Sequence, residues 1–68
     1  MDFSKRLSAL LKEEGILQKD LCSKLNLSKN QVHYWIKDKA EPDLQTLIRI
    51  ADFFDVSIDY LVGRKENY

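Results

Sequence analysis

Phe3, Leu7, Leu10 and Leu11 recur at the spacing of one helical face, and Glu14 takes the next place on the stripe. The pattern predicts a first helix over residues 3–14, with Asp2 at its N-cap and Gly15 in the left-handed conformation that stops it. A second helix is expected over 18–25, with Leu21, Cys22 and Leu25 inward. Leu17 stands where a capping hydroxyl is wanted, so this start is under-capped. Asn26 can end the helix, because Asn enters the left-handed region more readily than other non-glycine residues. Ser28 then caps a third helix, about 29–37, whose inward stripe is Val32, Trp35 and Ile36. Lys29, Asn30, His33 and Lys37 fall on its other side, with Gln31 and Tyr34 on the flanks. After a polar stretch at 38–41, Asp43 caps a fourth helix that runs to about Phe54. Leu44, Leu47, Ile48, Ala51 and Phe54 give its expected core face, and Val56 continues the core. Ser57 caps a short fifth helix over 58–62, which Gly63 ends.

Nothing alternates with period two, and two glycines with one proline suit an all-α chain with few breaks. The expectation is one domain over 1–63 and a frayed tail over 64–68. At 68 residues the chain lies near the lower limit for a domain and buries only about 60% of its unfolded surface. A deep substrate cleft would compete with the core for the same few side chains. Cys22 is the single cysteine and His33 the single histidine, which excludes a disulfide framework and leaves no metal-ligand cluster. No enzyme activity, cofactor, metal or small-molecule substrate is therefore expected. Apolar runs reach only two or three residues, so no signal peptide or membrane span is read, and the chain is expected to be cytoplasmic and reduced.

Formal net charge is zero, with 11 basic and 11 acidic side chains, but their distribution is uneven. Residues 1–40 hold eight basic against five acidic groups, leaving +3, and residues 41–68 hold three against six, leaving −3. A basic half can face a polyanion while an acidic half faces away.

The second and third helices are joined by Asn26, Leu27 and Ser28, which is the length of a helix-turn-helix connection. Across the twenty positions from Gln18 to Lys37, Leu21, Leu25, Leu27, Val32 and Trp35 are apolar. Cys22 is small at the point where two steeply crossed helices approach, and Asn26 tolerates the positive φ of the turn. In this window the sequence resembles the phage-repressor-like, Cro/XRE-type helix-turn-helix family. The likeness extends over about 3–63, through Gln18-Lys19-Asp20-Leu21, Leu27-Ser28-Lys29, Lys39-Ala40-Glu41-Pro42-Asp43-Leu44 and the run from Ile50 to Gly63.

The resemblance implies a compact five-helix, lambda-repressor-like domain that binds double-stranded DNA as a homodimer, with its third helix in the major groove. By position, Lys29, Asn30 and Tyr34 match the residues that reach base edges, with Gln31 and His33 at the margin. Asn can pair bidentately with adenine, and Lys can donate to guanine O6 and N7. Gln18, Lys19, Ser28, Lys37 and Lys39 match phosphate contacts. Tyr60 and Val62 are the dimer-interface candidates, because the segment from Phe53 to Val62 holds more apolar side chains than a short terminal helix buries. Many relatives pair an Arg at position 11 with a Glu at position 36; here Leu11 and Ile36 replace that bridge.

Bland readings stand beside these. Trp35 and Cys22 are read as core, and Lys5, Arg6 and Lys12 as a solvated face of the first helix. The expected function is a sequence-specific DNA-binding transcriptional regulator, of repressor type. The alternative is an antitoxin or anti-repressor-type interaction module on the same fold.

Overall fold

The computed structural model describes residues 2–67. Among them lie five helices and no strand: α1 (Phe3–Glu14), α2 (Gln18–Leu25), α3 (Lys29–Ile36), α4 (Leu44–Phe54) and α5 (Ile58–Leu61). The all-α expectation holds, and the first two helices fall on their expected bounds. The third and fifth stop one residue early, at the C-caps Lys37 and Val62.

Local chemistry accounts for the ends. Ser28, Asp43 and Ser57 accept hydrogen bonds from the N–H groups of Gln31, Thr46 and Tyr60, each three residues on. Hydrogen bonding from Thr46 also holds the Asp43 carboxyl below its ordinary pKa. Asp2 occupies the N-cap of α1 without a side-chain cap bond. Gly15, Asn26 and Asp55 close α1, α2 and α4 in the left-handed conformation, at φ 66°, 55° and 57°. Asp38, at φ 59°, turns the chain after α3.

The core gathers Phe3, Leu7, Leu10 and Leu11 of α1 with Leu21, Val32 and Trp35 of the motif and Ile50, Phe54 and Leu61 behind them. Leu11 is buried, and Ile36 packs half-buried against the same cluster. Phe3 meets Trp35 edge to face, with ring centres 5.9 Å apart.

Three expectations need correction. In α4 the buried stripe is Leu47, Ile50, Ala51 and Phe54, whereas Leu44 is 65% exposed and Ile48 41%. The helix carries enough apolar residues for two overlapping stripes, and packing selects the second. Tyr60 is buried, with the Arg6 guanidinium 4.5 Å from its ring centre, so it offers little surface to another chain. Val62, Phe53 and Ile58 are half-buried against the core. Arg6 thereby leaves the solvated face assigned to it: hydrogen bonding to Tyr60, and then the charge of Glu66, raise its pKa. The N–H groups of Arg64 and Lys65 donate to the Asp59 carbonyl, and Glu66 lies 3.5 Å from Arg6. Tyr68, the last residue of the expected tail, lies outside the described residues.

Candidate nucleic-acid interface

The pair α2–α3 is fixed from several sides. Asn26 turns the chain, and the Leu27 N–H returns to the Cys22 carbonyl at 2.8 Å. The Cys22 thiol is buried and points at the Ser28 carbonyl, 3.7 Å away. From α4, Arg49 donates to the Leu25 carbonyl and anchors the C-terminal end of α2. Beneath α3, Val32 is wholly buried and Trp35 nearly so. A helix braced in this way has one face left to present.

That face carries Lys29, Asn30, Gln31, His33 and Tyr34, all exposed, with Lys37 at its end. Two shallow grooves flank it. The groove towards α2, about 440 Å³, is lined by Gln18, Lys19, Cys22, Lys29, Asn30 and His33. It has two ammonium groups and no carboxylate in its wall, which favours an anion. The groove towards α4, about 370 Å³, is lined by Asn30, Gln31, Tyr34 and Trp35 on one side and by Ala40, Glu41, Pro42, Asp43 and Thr46 on the other. Its two carboxylates make it the acidic flank. Asn30 lines both grooves and stands on the ridge between them.

The starts of α2 and α3 differ in what they leave open. At α3, Ser28 and Gln31 bond reciprocally: Ser28 Oγ accepts from the Gln31 N–H, and Gln31 Oε1 accepts from the Ser28 N–H at 2.9 Å. The Gln31 oxygen is therefore engaged within the protein. At α2, Leu17 supplies no cap bond and lies 59% exposed. The first amides of α2 are left for an outside acceptor, beside Gln18 and Lys19.

The structure thus brings Gln18, Lys19, Lys29, Asn30 and His33 around one groove. Gln31 and Tyr34 stand with Asn30 around the other, and Ser28 lines the latter too. Lys37 and Lys39 are exposed after α3, where the Lys39 N–H returns to the Tyr34 carbonyl at 2.8 Å. Tyr60 and Val62 take no part in this surface. Sequence reasoning missed Glu41, Pro42, Asp43 and Thr46 as a groove wall, because Pro42 and Asp43 were legible only as a helix start. It also missed Arg49 as the anchor of α2, a contact across 24 residues that no local pattern marks. Among the described residues, no group of His, Cys, Asp and Glu is placed to hold a metal ion. Among the same residues, no helix is long and apolar enough to cross a membrane.

Residues 7–61 match the helix-turn-helix family. The chain is 35% identical over 66 residues to the HTH-type transcriptional regulator ImmR of Bacillus subtilis, across 97% of this chain and 52% of that protein. It is 30% identical to the HTH-type transcriptional activator BcrR of Enterococcus faecalis, across 97% of this chain and 32% of that one. The crystal structure of a transcriptional regulator from Listeria innocua superposes with a TM-score of 0.85 at 36% identity, covering 97% of this chain and 62% of that one. The chain spans about half the length of the first of these relatives and a third of the second. With the braced α3, the left-handed turn at Asn26 and a match over most of its length, the chain belongs to the Cro/XRE-type helix-turn-helix family.

Proposed function

We propose that this chain binds double-stranded DNA sequence-specifically and regulates transcription by doing so. The carrying observation is α3, held from below by Val32 and Trp35 and presenting Lys29, Asn30 and Tyr34 beside a lysine-lined groove. An α-helix fits the major groove, where each base pair shows a distinct donor and acceptor pattern. Asn30, on the ridge, is the side chain best placed to read a base, and Lys29, His33 and Tyr34 border it. Gln31 contributes its free amide end only. Gln18, Lys19, Ser28, Lys37 and Lys39 hold phosphates on either side and set the register. Two copies place their α3 helices about 34 Å apart in successive major grooves.

We assign the domain a repressing role, in which occupancy of the duplex is itself the regulatory act. Activation, the role named for the Enterococcus faecalis relative, requires a further surface that engages the transcription machinery.

A salt titration of duplex binding tests the reading. Affinity should fall steeply with salt and differ between sequences. Asn30→Ala should cost roughly 1–3 kcal/mol and relax preference at one base pair. Equal loss on every sequence would contradict base reading by Asn30. The second reading, a protein-interaction module, is favoured by one observation, the acidic groove of Glu41 and Asp43. Duplex binding without salt dependence or sequence preference would select it.

A further inference from the structure

We infer that His33 is a phosphate ligand that binds as imidazolium, so that the domain takes up a proton as it closes on a nucleic-acid backbone. The inference rests on the DNA-binding reading and deepens it, by moving His33 from the margin of the base contacts to the backbone contacts.

Placement carries the argument. His33 is exposed on α3 and lines the groove towards α2, together with Gln18, Lys19, Cys22, Lys29 and Asn30. It takes no part in the groove towards α4, where Asn30, Gln31 and Tyr34 stand. Its side chain thus belongs to the wall that holds the ammonium groups. Lys29 and Lys37 stand four residues before and after it, one turn away on either side. From α2 comes Lys19, while the buried Cys22 thiol is turned to the Ser28 carbonyl. The Tyr34 ring is its aromatic neighbour, with ring centres 5.9 Å apart. Among the described residues, no carboxylate lines this groove: Glu41 and Asp43 line the other one, and Asp20, next to Lys19 in sequence, is not in the wall.

Charge decides which form of the ring binds. Neutral imidazole has one N–H donor and one acceptor nitrogen, and the acceptor repels a phosphate oxygen. Imidazolium has two donors and a positive charge, and a charge-assisted hydrogen bond is about twice as strong as a neutral one. Like charges four residues apart on a helix repel, so a cation between Lys29 and Lys37 calls for an anion alongside. A phosphodiester supplies that anion. One proton from solvent adds to the free ring nitrogen as the phosphate arrives, and the new N–H donates to a phosphate oxygen. Histidine is the side chain whose ordinary charge change falls between pH 5 and 8, and His33 is the only one in the chain.

The test uses a duplex selected from a random pool by this chain at neutral pH, with affinity measured from pH 8 to pH 6 at constant ionic strength. For the parent, affinity should rise roughly fivefold over that range. The fall of log affinity with log salt should steepen by about one, the increment of one added phosphate contact. His33→Gln, its fold checked by circular dichroism, should keep the parent's pH 8 affinity and salt slope at both ends of the range. The α-amino group titrates there in both proteins, so the difference between them is the readout. His33→Lys carries a fixed positive charge and should bind at pH 8 nearly as the parent does at pH 6. A parent whose affinity is flat with pH would overturn the inference, and so would a pH dependence undiminished in His33→Gln. A salt slope that does not change with pH would overturn the phosphate assignment. If the parent selects no duplex, the DNA reading itself fails. Proton magnetic resonance of the His33 ring in sodium tripolyphosphate then decides the inference: a protonation midpoint moved up by about half a pH unit sustains it, and no movement overturns it.

Discussion

α2 and α3 are both eight residues long, yet their first turns are built in opposite ways. α3 begins inside a reciprocal pair of hydrogen bonds between Ser28 and Gln31, so its leading amides are served within the protein. α2 begins at an exposed leucine, with only the Asp20 and Leu21 N–H groups returning to the Leu17 carbonyl. The far ends are closed alike, by left-handed Asn26 after α2 and left-handed Asp38 after α3, and α2 is held in addition by Arg49. A helix start can serve its own stability or receive an anion, and under the proposed DNA-binding reading this motif divides the two tasks. α3 is stabilised so that its side chains are held in place, and α2 stays open where a phosphate would sit.

The largest test of this contrast is Trp35→Ala. Loss of the indole from beneath α3 and from Phe3 should remove about 3–5 kcal/mol of stability, seen as a collapse of the urea unfolding midpoint. A change near zero would mean that α3 is not braced from below. Next comes Ser28→Ala, which should cost about 1 kcal/mol in the same measurement, because it takes away the acceptor for the Gln31 N–H. The smallest effect on stability is the sharpest discriminator. Leu17→Ser gives α2 the cap it lacks, so it should stabilise the fold by roughly 0.5 kcal/mol. Under the proposed function it should also weaken duplex binding severalfold, because the new hydroxyl would compete with phosphate for the first amides of the helix. Stability and binding that rise together would refute the division of tasks.

Most element boundaries were legible because they rest on short-range chemistry. Ser28, Asp43 and Ser57 each bond three residues ahead, and Gly15 and Asn26 are residue types that tolerate positive φ. The candidate base readers were legible for a related reason: once Val32 and Trp35 face inward, the helix repeat fixes where Lys29, Asn30 and Tyr34 point. What stayed hidden was non-local. In α4 the stripes 44-47-48-51 and 47-50-51-54 satisfy the same periodicity, so only docking could choose between them. Tyr60 lies on a four-residue helix, too short to show a period, and its partner Arg6 is 54 positions away. Asp38 and Asp55 take positive φ where Asp also reads as an ordinary polar loop residue or dipole partner.

Gly63 sits at φ 86°, where a Cβ would come within 2.8 Å of the Asp2 side chain. The segments that lead into α1 and out of α5 thus pass close together at one corner, beside the Arg6–Glu66 pair. A side chain at Gly63 would have to displace Asp2, the residue from which α1 sets out, and would also be strained by the positive φ.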